Sequence, residues 1–112
     1  MKKVVFNRNF GDFSISKECA QWLADRGNKE CIELLKRRYG AEDSEFYGYI
    51  EWTPRHDALL VMAVEELGPS LAGGDGCELD VHELVGRRYY IEEYDGSESV
   101  IEPHTIPWIE VY

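Results

Sequence analysis

The segment YYIEEYDGSESVIE, residues 89–102, constrains the fold of this chain more than any other part of it. Two runs of β-prone residues flank the dipeptide Asp95-Gly96, and Asp-Gly between such runs is a strong short-range signal for a β-hairpin. The segment has no basic residue but carries five carboxylates, so the predicted hairpin concentrates negative charge around its turn. These carboxylates belong to Glu92, Glu93, Asp95, Glu98 and Glu102.

The length of the hairpin loop decides which residues face each other. A two-residue loop, Asp95-Gly96, places Glu93 opposite Glu98, where two exposed carboxylates would repel by up to about 1 kcal/mol. A three-residue loop shifts the register and places Glu93 opposite Ser99 instead. Both registers give a negatively charged tip, and the sequence does not choose between them.

Three interpretations of the acidic hairpin follow from its composition. The carboxylates can be solvated and only blunt a sheet edge. They can dock a basic protein surface, with tyrosine supplying close contacts. They can bind a divalent cation, although the D-x-[DN]-x-[DN]-G spacing of a calcium loop is absent. The candidate partner-binding residues are Glu92, Glu93, Tyr94, Asp95 and Glu98.

Three helices are predicted from apolar periodicity and capping residues. The first is capped by Ser16 and ends near Gly27. The second covers residues 29–39 and is capped by Asn28. The third covers residues 58–67, with Asp57 as its preferred N-cap and Thr53-Pro54 as the alternative start.

The remaining segments predict short strands and connections. Strands are expected at residues 3–6, 49–52 and 77–82, a flexible connection at 70–76, and an extended or edge-strand tail at 103–112. Most of the aromatic residues before and within the hairpin are expected to pack in the core. They are Tyr47, Tyr49, Trp52, Tyr89, Tyr90 and Tyr94. Together these elements predict a single α+β domain, 1–112, in which a small antiparallel sheet with a C-terminal β-hairpin packs against about three α-helices.

The formal net charge of −10 is unevenly distributed along the chain. Residues 76–112 contain nine acidic residues and only two basic ones. Direct nucleic-acid binding is therefore disfavoured, since phosphate contacts need clustered Lys and Arg, and a protein with a basic surface is the better partner. No apolar run is long enough for a membrane helix, and the N-terminus turns polar too early for a signal peptide. We expect a cytoplasmic protein with no membrane partner.

The residues that can carry chemistry form no catalytic pattern. Cys19, Cys31 and Cys77 are scattered, without a C-x-x-C pair or a nucleophile signature, so reduced thiols are expected. Walker, G-x-G-x-x-G, H-E-x-x-H and G-x-S-x-G motifs are absent. An enzyme is therefore disfavoured, and no cofactor and no metal site is predicted.

A second candidate site lies at the start of the third predicted helix. The tripeptide Arg55-His56-Asp57 precedes this helix, whose free amides favour an anionic group. Asp57 can instead serve only as the cap, with Arg55 and His56 facing solvent or pairing with an acid. For small-ligand binding, such as a nucleotide or signalling molecule, the candidate residues are Arg55, His56, Asp57, Arg87 and Arg88.

Three segments together resemble a family of small tailed-bacteriophage proteins, most of them uncharacterised. They are NFGDFSIS (9–16), RHD with VEELG (55–57 and 64–68) and IEEYDGSESVIE (91–102). The family pattern begins with G-x-F-x-[LI]-S and ends in an I-[DE]-E-Y-D-G hairpin, and the resemblance spans roughly residues 3–104. It implies a phage accessory protein that acts in the cytoplasm of an infected bacterium. The Pro-rich tail, residues 104–112, departs from the pattern.

These observations favour a binding function over catalysis. We expect an inhibitor or modulator of a host protein, for example one of a defence system, that acts through an acidic, tyrosine-rich surface. The alternative is a small-ligand binding protein or sponge. The oligomeric state is open, and the C-terminal tail is where a homodimer contact is expected.

Overall fold

The computed structural model describes residues 2–37 and 46–112 and contains two small antiparallel sheets. Strand β1 (Lys3–Asn7) pairs with β2 (Leu79–Glu83), and β3 (Tyr90–Tyr94) pairs with β4 (Ser97–Ile101). The helices of the described residues are α1 (Lys17–Ala24), α2 (Lys29–Lys36), α3 (Ala58–Leu67) and α4 (Pro69–Ala72). The predicted α+β class and C-terminal hairpin are confirmed, with the strands divided between two sheets.

The hydrophobic core lies between the β1–β2 sheet and the helices. Helix α3 is central to it, because it packs against α1, α4, β1 and β2. Its buried side chains meet fully buried residues of the other elements, such as Val5, Ile15, Leu23 and Leu79. Across the described part of the chain, no helix has the length and apolarity needed to cross a membrane.

The three cysteines are free thiols inside this core, as predicted. Burial raises the pKa of Cys19 and of Cys31 to about 12 in each case, and it also raises the pKa of Cys77. Because the thiolate is the reactive form, these protonated thiols are poor nucleophiles.

The predicted helix caps are confirmed by their hydrogen bonds. Ser16 Oγ accepts from Cys19 N at 3.0 Å, and Asn28 Oδ1 accepts from Cys31 N at 2.9 Å. Asp57 Oδ2 accepts from Leu60 N at 3.0 Å, which establishes Asp57 as the cap of α3. Each bond satisfies an amide that the first helical turn leaves without a partner.

Several local predictions were wrong. Helix α2 ends at Lys36 because Arg37 is extended, with φ −73° and ψ 141°, and its predicted continuation to residues 38–39 lies outside the described residues. A short helix, Pro69–Ala72, begins on proline and takes up the first part of the predicted connection 70–76. For the tail, the edge-strand alternative is wrong, because Pro103–Thr105 forms a 3₁₀ turn and the residues after it are exposed without strand pairing.

The strand predicted at residues 49–52 is also wrong, because a buried carboxylate fixes this segment instead. Glu30, on α2, accepts hydrogen bonds from the amides of Glu51, Trp52 and Thr53 at 2.6, 3.0 and 2.8 Å. Burial by itself raises the pKa of Glu30, but these amides outweigh it and hold the pKa below its ordinary value of 4.5. The anion thus orders the segment that leads to Arg55 and α3.

Replacing Glu30 by glutamine should destabilise the protein at neutral pH by about 1–3 kcal/mol, because the new NH₂ group opposes amide donors. A carboxyl group whose pKa is lowered in the folded state contributes stability above its ordinary pKa and loses it as the pH falls. The wild type should therefore lose more stability than Glu30→Gln between about pH 6 and pH 3.5. Urea unfolding at both pH values measures the difference. Glu33→Gln, exposed on the same helix, is the control, and equal acid sensitivity of wild type and Glu30→Gln would contradict the assignment.

Candidate functional site

The hairpin turn is the two-residue loop Asp95-Gly96. Both residues have positive φ, 52° and 91°, as a type I′ turn requires, and Glu93 faces Glu98. The three-residue alternative is therefore wrong. Glycine is needed at position 96 for a second reason, because a Cβ there would overlap the carbonyl oxygen of Phe10. The turn is thus packed against the loop that follows β1.

Glu98 does not belong to the exposed acidic surface. Its side chain is 7% exposed and forms a bidentate ion pair with Arg55, with Nη1–Oε1 and Nη2–Oε2 distances of 2.7 and 2.9 Å. Oε1 also accepts from the Asn7 amide at 2.9 Å. The structure therefore removes Glu98 from the partner-binding residues predicted from the sequence, since a carboxylate so engaged is not free for a partner.

Arg55 makes several contacts inside the protein. Its guanidinium lies 3.4 Å from the centre of the Phe13 ring, a cation–π contact, in addition to its ion pair with Glu98. Its backbone oxygen accepts from Val5 N at 2.8 Å, which joins the chain before α3 to β1. Because both Nη groups already bind a carboxylate, the predicted role of Arg55 in anion binding has little support.

Asn7, at the end of β1, connects the hairpin turn to the rest of the protein. Its fully buried side chain donates to the carbonyls of Asn9 and Gly96 at 2.9 Å each, and also to that of Gly11. Its Oδ1 accepts from the amides of Asn9 and Glu78. No sequence motif marked Asn7, and the only signal was a polar residue at the end of an apolar strand.

The outer face of the hairpin carries the exposed acidic and aromatic residues. Tyr90 and Tyr94 are 53% and 80% exposed and alternate with Glu92 along β3. Glu93 is also exposed but belongs to the other face of β3, and its Oε1 accepts from Gly96 N at 3.1 Å. Asp95 is exposed in the turn itself. Four of the five predicted partner-binding residues are therefore exposed at the turn end of the hairpin, with Glu93 on the opposite face from Glu92 and Tyr94.

The aromatic residues were expected mainly in the core, and this expectation was wrong for several of them. Tyr47, Tyr49 and Trp52 are exposed, as are the two hairpin tyrosines. Phe10, which the sequence did not indicate, is 64% exposed and lies in the loop that packs on Gly96. Its backbone carbonyl lies against the hairpin turn.

A second buried carboxylate, Glu102, fixes the other end of β4. It accepts from His82 Nε2 at 2.9 Å and from the amides of Val85 and Gly86 at 2.8 and 3.3 Å. The His82 contact, together with these amides, lowers the pKa of Glu102. Of the five carboxylates in the segment, two are thus structural, and three remain at the surface.

The residues predicted for small-ligand binding are only partly brought together. A cleft of about 820 Å³ lies beside α3, and His56 and Arg87 line it. His56 Nδ1 lies 2.7 Å from the hydroxyl of Tyr89, and burial raises the pKa of that hydroxyl. Arg55 and Asp57 have structural contacts, as described above, and Arg88 is exposed outside the cleft lining. The remaining lining residues are Lys2, Lys3, Ala58, Val61, Met62, Glu65, Glu83, Leu84 and Tyr89.

Within residues 2–37 and 46–112, no group of three or more His, Cys, Asp or Glu side chains is arranged to hold a metal ion. The opposed pair Glu93 and Glu98 diverges, because Glu98 turns inward to Arg55. Comparison with protein-family models, curated proteins and solved structures gives no match. The resemblance to phage proteins therefore stays a prediction.

The Arg55–Glu98 pair gives a stability prediction. Glu98→Gln should destabilise the protein by about 2–4 kcal/mol, because it leaves a mostly buried guanidinium without its counter-charge. Glu92→Gln makes the same chemical change on the exposed side of the hairpin and should shift stability by less than about 0.5 kcal/mol. Urea unfolding of both variants measures the difference, and equal effects would show that the pair does not anchor the hairpin.

Proposed function

We propose that this protein acts by binding another protein through the hairpin tip, a surface formed by Tyr90, Glu92, Glu93, Tyr94 and Asp95. The observation that carries the proposal is the combination of exposed tyrosines and carboxylates on a hairpin that buried contacts hold in place. Held in one position, such a surface loses little conformational entropy on binding.

The charge of the hairpin tip indicates the kind of partner. Glu92, Glu93 and Asp95 remain exposed after Glu98 and Glu102 are engaged inside the protein, and no basic residue lies in the segment. A basic protein surface complements this charge and would be steered toward it, with the tyrosines supplying close contact area. The phage resemblance supports a biological setting in which this protein inhibits or modulates a host protein of the infected bacterium, for example one that acts in defence.

The small-ligand alternative has weaker support. Of the five residues predicted for it, Arg55 and Asp57 are engaged in structural contacts, and only His56 and Arg87 line a common cleft. The acidic hairpin keeps most of its predicted residues at the surface, and for this reason we rank it first.

Neutralising the hairpin tip should abolish partner binding without unfolding the protein. The variant Glu92→Gln, Glu93→Gln, Asp95→Asn removes three charges, and asparagine still tolerates the positive φ of position 95. Glu98 stays unchanged, because its loss would destabilise the fold, and weaker binding could then not be attributed to the hairpin tip. The measurement is affinity capture from the bacterial host, followed by a binding titration with the captured protein. The expected result is at least a tenfold weaker affinity and a lower salt dependence.

The matched control removes three exposed charges elsewhere, through Glu18→Gln, Glu51→Gln and Asp75→Asn. These side chains make no hydrogen bond or ion pair within the described structure. The control variant should capture the same protein as the wild type. Equal capture by wild type and hairpin variant, or no specific protein captured by the wild type, would contradict the proposal.

The tyrosines should contribute separately from the charge. Tyr90→Ala and Tyr94→Ala should each weaken partner affinity about tenfold or more, as is typical of aromatic hot spots. Tyr49→Ala is the control, because Tyr49 has the same 53% exposure as Tyr90 but lies outside the hairpin. Isothermal titration with the captured partner measures all three variants. Equal losses for the three would indicate a non-specific effect and count against the hairpin tip.

A further inference from the structure

The C-terminal tail is the second exposed surface that calls for a partner. Its residues 106–112 read IPWIEVY, and Trp108, Ile109, Val111 and Tyr112 are 74% to 108% exposed. Large apolar side chains that are contiguous and uncovered mark an interaction site in a soluble protein. This surface is distinct from the hairpin tip, and an inference from it goes beyond the proposed function.

Residues 107–112 belong to no helix and no paired strand, so they are available to dock as an extended segment. In a segment docked in this form side chains alternate, so Trp108, Glu110 and Tyr112 share one side, and Ile109 and Val111 the other. The Tyr112 hydroxyl lies 3.3 Å from Glu110 Oε2, in agreement with this arrangement. Because both sides carry large apolar groups, a flat surface would leave one side in water, whereas a cleft covers both.

The root of the tail is held beside the cleft that borders α3. Glu102 binds the amides of Val85 and Gly86, and the same connection supplies Leu84 and Arg87 to the cleft wall. After this anchor, the 3₁₀ turn Pro103–Thr105 and the Trp108 N to Ile106 O bond across Pro107 stiffen the chain. The residues that follow extend into solvent, and a second copy can supply a cleft to receive them.

The cleft matches the tail in chemistry. Val61, Met62 and Leu84 give it an apolar lining, and Met62 is 52% exposed there. Lys2 and Arg87 line it without an ion pair in the described structure, whereas Lys3 is paired with Glu65 at 2.8 Å. Glu110 is the only charged residue of the tail segment, so it can meet these bases. Glu83 also lines the cleft, so its three bases exceed its two acids by one, and Glu110 would balance this excess.

We propose that residues 106–112 of one copy dock into the cleft of a second copy, and that the second copy returns the same contact. Two reciprocal contacts of this kind form a closed two-fold dimer. Each tail exposes roughly 500 Å² of side-chain surface, because an aromatic side chain alone contributes about 150–250 Å². The two tails together therefore remove roughly 1,000 Å² of their own surface from water, and with the cleft surface that they cover the dimer passes the lower limit of about 1,000 Å² for a specific interface.

The test uses the full chain in sedimentation equilibrium over a micromolar range. The tail variant is Trp108→Ser with Ile109→Ser, and the cleft variant is Met62→Glu. Each should raise the dimer dissociation constant at least tenfold. Leu71→Glu is the matched control, because Leu71 is an exposed apolar residue of α4 with 50% exposure and lies outside the cleft. This control, and neutralisation of the hairpin tip, should leave the dimer intact.

Mixing the two variants separates tail–cleft exchange from other dimers. The cleft variant keeps an intact tail, and the tail variant keeps an intact cleft, so the mixture should form a heterodimer that native mass spectrometry detects. A monomeric wild type, a dimer insensitive to Met62→Glu, or the absence of a heterodimer would overturn the proposal. A monomer that a panel of nucleotides stabilises against heat would overturn it as well, and would assign the cleft to a small ligand.

Discussion

The bidentate contact between Arg55 and Glu98 is the interaction on which the arrangement of this protein depends. It joins β4 to the segment before α3, and Glu98 also accepts from the amide of Asn7 on β1. The two sheets share no strand pairing, so contacts of this kind must hold the hairpin against the body. A charged pair can do so because its geometry is specific: the guanidinium presents two parallel donors to the two carboxylate oxygens.

The Arg55–Glu98 contact also changes how the acidic segment, residues 89–102, is interpreted. By sequence, five carboxylates crowd around one turn, and their mutual repulsion would oppose folding. In the fold, Glu98 and Glu102 point inward to donors, and Glu93 accepts from an amide of its own turn. The repulsion expected between Glu93 and Glu98 is thereby relieved. Negative charge in this chain thus serves two purposes, since some of it orders backbone and the rest faces solvent.

The features that the sequence predicted correctly are those that depend on interactions between neighbouring residues. The caps Ser16, Asn28 and Asp57 and the Asp95-Gly96 turn were readable because each depends on a few neighbouring residues. The inward role of Glu98 was not, because Arg55 lies 43 positions away in sequence. The strand predicted at residues 49–52 failed for the same reason. The conformation of residues 51–53 is set by hydrogen bonds to Glu30, which is distant in the sequence.

Strand β4 connects the hairpin tip to the C-terminal tail. Glu98 fixes it near the hairpin turn, and Glu102 fixes it where the tail begins, so buried carboxylates hold both ends. Because the strand is held at two points, the position of the exposed tail should have little effect on the turn, and the hairpin tip can keep its arrangement whether or not the tail is docked. A dimer formed by reciprocal tail docking would present two hairpin tips. A partner with two basic sites would then bind by avidity, which strengthens contacts that are individually weak.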